Sequence, residues 1–319
     1  MNKFKKVGLS ALAGSLVATS AYAGEVTVAG GAGMFLEHIN GGAANSGKSF
    51  SMSNQLTFSG GGELDNGLNV SISFILDQGD GVTAATAPFD SHSVSVSSDS
   101  LGTIKMSGEG GSSASSAVDG MVSGDIWDAF QAAADEPEAA PAGSNGLFYT
   151  LPTVMDGVSA AISYAPKGTG YESSTAWNIV YSGVEGLTLT YAQGDDNSTD
   201  ASEADHTVMK ASYAYGPITV GYSESEYDDE VASGDQSTEA YNIAYTISDD
   251  LSISYGSEEL EFGVQSATNV AAEFERLKLT YTTGGMTLTA SQSTGDNISY
   301  STTATEDQEV WALGATFAF

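Results

Sequence analysis

The chain has no cysteine among its 319 residues, only 6 prolines, and 9 lysines and arginines against 41 aspartates and glutamates. Each shortage removes a class of protein. Without thiols there are no disulfides, zinc ribbons or cysteine nucleophiles. A formal charge of −32 repels nucleic acid, whose binders need a basic surface to displace counterions from phosphate. Beyond residue 24 no apolar run approaches the roughly 20 residues that a membrane helix requires. The hydrophobic share, 41%, is modest, yet aromatic and β-branched residues are too plentiful for a disordered chain. A folded protein with an unusual distribution of apolar surface is expected.

Residues 1–23 read as an export signal. Lys3, Lys5 and Lys6 make a positive start, Val7 to Val17 is apolar but too short to span a bilayer, and Ala21-Tyr22-Ala23 has the small-x-small pattern of a cleavage site. The remaining segment, 24–319, keeps 6 of the basic residues and all 41 acids.

What recurs in that segment is period two. Leu68, Val70, Ile72, Phe74 and Leu76 alternate with Asn69, Ser71 and Ser73, and Leu251, Ile253 and Tyr255 alternate with Ser252 and Ser254. Sixteen such strands are expected, near 25–39, 49–62, 68–78, 91–98, 102–108, 145–151, 157–165, 174–183, 186–193, 206–215, 217–226, 238–247, 250–260, 271–282, 285–293 and 306–319. Their connections alternate in length. After every even-numbered strand comes tight turn chemistry, such as Asp65-Asn66-Gly67, Gly216-Pro217 and Gly284-Gly285, and between these lie longer polar segments such as 79–90, 109–144, 194–205, 227–237 and 294–305. All tight turns therefore lie on one edge of the sheet and all long loops on the other, as a transmembrane barrel requires. About 18 residues per strand and connection suffice for a tilted crossing of about 10. The fold expected is all-β, a closed antiparallel transmembrane β-barrel of about 16 strands, with its apolar face on lipid and its polar face inside.

With these features the sequence resembles the general diffusion porins of Gram-negative bacteria, the sixteen-stranded trimeric family, over the whole of 24–319. The chain closes on Trp311-Ala312-Leu313-Gly314-Ala315-Thr316-Phe317-Ala318-Phe319, an alternating strand ending in an aromatic, and its longest connection, 109–144, follows the fifth strand. The resemblance implies that Phe319 is read by the outer-membrane assembly machinery, that the third loop folds into the lumen and narrows it, that the protein is a homotrimer in outer-membrane lipid, and that it passes small hydrophilic solutes and ions. The short acidic loop motif and dense arginine ladder of enterobacterial members are missing, and the sequence looks closer to the acidic alphaproteobacterial type.

A pore needs no catalytic residues; its chemistry is the field at its narrowest point. The third loop offers Glu109, Asp119, Asp125, Asp128, Asp135 and Glu136 as constriction acids. Residues 125–130 are expected to form a short helix with Ile126, Ala129 and Phe130 on the inner wall, and Asp125 and Asp128, three apart, to share a lumen-facing side. Parity points Lys105, Lys210, Arg276 and Lys278 inward, opposite these acids. The excess of acid predicts a cation preference. No cofactor is expected, although acid-rich stretches such as 195–200 and 77–80 offer oxygen ligands for Ca²⁺ without a helix-loop-helix calcium spacing. Competing readings are a plugged structural or adhesive barrel and a barrel-type hydrolase. The second would need one of only three histidines, His38, His92 and His206, each placed at a strand end with no G-x-S-x-G nucleophile nearby.

Overall fold

A computed structural model describes residues 26–41, 47–77, 91–130, 145–168, 172–199, 202–302 and 307–319. The export signal at 1–23 and the candidate acids Asp135 and Glu136 lie outside the described residues. Sixteen strands follow in order: β1 (Thr27–Gly41), β2 (Gly47–Glu63), β3 (Asn69–Asp77), β4 (Ser91–Ser98), β5 (Gly102–Glu109), β6 (Leu147–Thr150), β7 (Val158–Ala165), β8 (Ser174–Tyr181), β9 (Leu187–Thr199), β10 (Ser202–Tyr215), β11 (Ile218–Asp229), β12 (Gln236–Ser248), β13 (Leu251–Phe262), β14 (Ala272–Thr283), β15 (Met286–Asp296) and β16 (Gln308–Ala318). Each pairs antiparallel with its sequence neighbours, and β1 pairs with β16, so the sheet is a closed barrel without a free edge. The last residue completes the seam: Gly30 N–H donates to the Phe319 carbonyl at 2.6 Å, and Phe319 N–H returns a bond to Gly30 at 3.0 Å.

The glycines of β1 serve this seam. A side chain at Gly30 would collide with the Phe319 ring, and one at Gly33 would meet the Phe35 ring and Ser53. Packing within the chain thus accounts for Gly30 and Gly33. At the opposite kind of position, Gly284 turns the chain between β14 and β15 with φ of +56°, a conformation costly for any residue carrying a Cβ.

One expected boundary moves. The polar stretch 194–205 reads as a loop, but β9 runs to Thr199 and β10 starts at Ser202, so most of it is hairpin. Its polar side chains are satisfied by neighbouring segments: Thr175 Oγ1 donates to Asp195 Oδ1 at 2.9 Å, Tyr227 O–H to Asp196 Oδ2 at 2.9 Å, and Asn197 Nδ2 to the Ser173 carbonyl at 2.9 Å. Asp195 and Asp196 are consecutive strand residues, so their carboxylates leave on opposite faces of the sheet.

The outward face is apolar. Ile243, Leu277 and Leu313, on β12, β14 and β16, are about half exposed in the isolated chain, while Ala244, Lys278 and Gly314 alternate with them on the inner face. The Tyr222 and Tyr241 rings meet at a tilt on that outer face, their centroids 5.1 Å apart, and their hydroxyls donate to Glu224 (2.9 Å) and Glu239 (2.5 Å). From there the apolar band gives way to acid. Glu224, Glu239, Glu259, Glu273 and Asp296 stand directly opposite one another across β11 to β15. Like charges so placed repel each other and are sustained only in a high-dielectric surrounding, which marks the long-loop rim as the wet boundary of the band.

Candidate functional site

The described part of the connection after β5, 110–130, crosses the inner wall strand by strand, each step tied by an inward side chain. Ala114 N–H donates to Ser163 Oγ on β7 (2.8 Å), and Asn178 Nδ2 on β8 donates to the Ala114 carbonyl (2.6 Å). Lys210 on β10 donates to the carbonyls of Val118 (3.1 Å) and Gly120. Val122 N–H donates to Ser223 Oγ on β11 (3.0 Å), and Arg276 Nη2 on β14 donates to the carbonyls of Ser123 (2.6 Å) and Gly124 (3.0 Å).

The firmest of these ties is on β13. Glu258, 1% exposed, takes three bonds from the loop: Ser123 Oγ at 2.5 Å and Ile126 N–H at 2.7 Å on Oε1, and Trp127 N–H at 3.0 Å on Oε2. The last two are backbone donors left open at the start of the short 3-10 turn Ile126–Ala129. Below that turn Ile126 and Phe130 pack with Leu260, Phe274, Ile298 and Val310 in the largest buried apolar cluster, and the Phe130 and Phe274 rings lie 5.1 Å apart. Close approach is possible because the wall is bare here. Gly221 and Gly256 lie in register on either side of Asn242, and a Cβ on either would press on Val122, or on Ser123 and Ile126.

The expected acids separate into groups. Asp119 and Asp125 come together beside a small cavity, while Asp128 is exposed on the 3-10 turn and Glu109 is exposed at the end of β5. Asp125 and Asp128 do not share a side as expected. Asp125 adopts a left-handed backbone with φ of 52°, and its Oδ1 turns back to accept Met121 N–H at 2.8 Å. Burial, and next the charge of Asp125, push the Asp119 carboxyl up to about 6, against the pull of Lys210 and nearby backbone N–H groups.

The inward lysines and arginine do not pair with these acids. Lys210 and Arg276 are engaged by loop carbonyls, Lys278 follows Arg276 on the inner face of β14, and Lys105 is exposed on β5 across the barrel. Among the described residues the one ion pair is Lys167–Glu172, exposed between β7 and β8. Sequence reasoning missed Glu258 and the bare patch at Gly221 and Gly256. A signal existed, since Glu258 shares its face with Gly256 and Leu260 and so does not belong to a solvated stripe.

His206 needs a correction too. It is not at a strand end but lies within β10, fully buried, with Nε2 3.0 Å from Ser225 Oγ on β11, and with buried Asp196 close by. The three residue types are those of a hydrolytic triad. Yet Ser225 sits in mid-strand, paired with Val208 and Thr238 on its two sides, instead of on a sharp turn with open N–H donors that could hold an oxyanion. The group is a hydrogen-bonded part of the wall.

The chain matches the family model described as Gram-negative porin over residues 8–274. No curated protein matches it. Among solved structures it is similar to a five-substitution variant of the Rhodopseudomonas blastica porin (15% identity, TM-score 0.64) and to a triple-substitution variant of the same porin (15%, 0.66). In each case the match covers 92% of this chain and 100% of the other. A closed barrel with an apolar exterior and a loop laid along its inner wall is thus joined by a family match over most of the sequence, and the chain belongs to the Gram-negative porins of the outer membrane.

Proposed function

We propose that this porin is a passive, non-enzymatic channel for small hydrophilic solutes that favours cations. The observation carrying this reading is the position of the described part of the third loop, which brings Asp119, Asp125 and Asp128 to the inner wall, where Lys210 and Arg276 donate to backbone carbonyls and make no ion pair with these three acids. Two unit charges about 7 Å apart in water interact by about 0.6 kcal/mol, near RT, so a few unbalanced carboxylates bias permeation several-fold without holding an ion. The family resemblance adds a homotrimer, and recognition of Phe319 by the assembly machinery. No resident cofactor enters this reading.

The test is the zero-current potential of the purified protein in a planar bilayer under a KCl gradient. A cation-signed potential is expected at pH 7, shrinking in concentrated salt as screening shortens. Acidification to pH 5 carries Asp119 through its value of about 6 and removes a charge, so the potential falls; in Asp119→Asn this pH step is largely lost. Stability moves the other way. A carboxyl raised in the fold binds its proton more tightly than in the unfolded chain, so its contribution is complete below about 3.8 and is lost as pH rises through about 6. Acidification across that window therefore does not loosen the loop by this route. A zero or anion-signed potential at pH 7 contradicts the proposal.

A further inference from the structure

We propose that one half of the turn edge is a lipid-binding surface, where the connections from β2–β3 round to β8–β9 lower exposed apolar side chains into the adjoining leaflet of the outer membrane. Leu64, Leu101, Val154, Met155 and Val184 stand in these four connections and are 47 to 81% exposed. The other three tight connections are Gly216-Pro217, Asp249-Asp250 and Gly284-Gly285, with no large apolar side chain. A turn surrounded by water favours Gly, Pro, Asn, Asp and Ser, so apolar tips confined to one side call for an occupant.

The apolar turns coincide with a short wall. β3 has 9 residues, β6 has 4, and β4, β5, β7 and β8 have 8 each, whereas β9 to β14 have 12 to 14. An eight-residue strand is about 27 Å long and, tilted by about 45°, covers about 19 Å of an apolar band about 25 Å tall. The sector thus leaves about 6 Å of hydrocarbon to be met by whatever adjoins its strands. At the turn edge, apolar side chains adjoin them.

The lipid-facing band continues onto these turns. Met155 bridges to Val158, Val158 pairs with Tyr181 and Tyr181 with Leu189, in one outward row. Leu64 N–H donates to the Leu68 carbonyl at 2.7 Å, two residues beyond the outward pair Gly62 and Val70. Around the long wall, Tyr215, Tyr245 and Tyr281 close the band near the ends of β10, β12 and β14, and the polar turns follow. Tyr149 and Tyr181 hold the same places on β6 and β8, yet apolar tips follow them. Tyr149 O–H donates to the Leu101 carbonyl at 2.8 Å, so both groups are matched within the protein, as hydrocarbon surroundings demand. One acid accompanies the tips of each turn, Asp65, Asp99, Asp156 and Glu185, which gives the amphipathic pattern of an interfacial segment. The turns are spread over β2 to β9, half the circumference, a wider arc than one flat contact with a second copy covers.

This inference concerns the outer surface and does not depend on conduction. Leu101→Cys, Val154→Cys, Met155→Cys and Val184→Cys, with Pro217→Cys and Asp250→Cys for the polar turns, each carry a single thiol for an environment-sensitive fluorophore. Circular dichroism establishes that each labelled barrel is folded before reconstitution into vesicles containing lipids brominated on the acyl chain. Bromolipid quenching several-fold stronger at 101, 154, 155 and 184 than at 217 and 250 is expected, with aqueous iodide giving the opposite order. Because the four positions lie on three turns, loss of folding in one variant leaves the comparison intact. Equal bromolipid quenching at all positions overturns the proposal. So does shielding from iodide at the four positions without bromolipid quenching, which assigns the surface to a second copy or another protein.

Discussion

Replacing Glu258 by alanine is expected to release the third loop from the wall while the barrel stays closed. Three donors would lose their acceptor in a place 1% exposed, and each buried donor left unmatched costs about 1 to 3 kcal/mol. Water from the lumen recovers part of this, so a local loss of about 3 kcal/mol is reasonable. Glu258→Gln, which keeps the shape but aims an amide N–H₂ at donors, should lose less. Limited proteolysis of the folded protein would show new cleavage within 110–130, and single-channel records would show larger and noisier currents. The ladders on both sides of β13 do not involve the side chain, so folding itself should survive. Wild-type protease resistance together with wild-type current would contradict this role.

The second large effect concerns the outer face. Ile243→Arg is expected to destabilise the folded protein in lipid by about 2 to 4 kcal/mol, the cost of arginine near the bilayer midplane of a barrel. Ala244→Arg, one residue along β12, puts the same group toward the interior and should cost far less. Ile243 lies between Val220 and Tyr255 on the adjoining strands, in the middle of the apolar band, whereas Ala244 lies between Thr219 and Ser254. Urea titration in lipid vesicles would compare the pair. Equal losses would mean that the two faces meet the same medium.

Much of this was legible in the sequence because membrane barrels write their fold in a simple code. Alternation placed β3 and β13, and turn residues such as Gly216-Pro217 and Gly284-Gly285 placed the tight connections, since both depend only on local steric and solvation rules. The hairpin extension of β9 and β10 was not legible because nearly all of its residues are polar on both faces, so hydropathy does not alternate. The third loop was recognisable by its length and position, but not its anchors. Glu258 is 132 residues from Ile126, and nothing local reveals that a strand carboxylate accepts bonds from a distant loop. The expected pairing of Asp125 with Asp128 assumed helical spacing, which the left-handed backbone at Asp125 removes.

The native absence of cysteine allows the inside-out arrangement to be read directly, since any introduced thiol is the only one present. Single cysteines at Ser252, Ile253, Ser254 and Tyr255 on β13, with the protein reconstituted in lipid, would be exposed to a charged, membrane-impermeant thiol reagent. Fast labelling at positions 252 and 254, with labelling slower by orders of magnitude at 253 and 255, is the result expected of a water-filled interior and a lipid-covered exterior. Uniform labelling, or the reverse alternation, would contradict it.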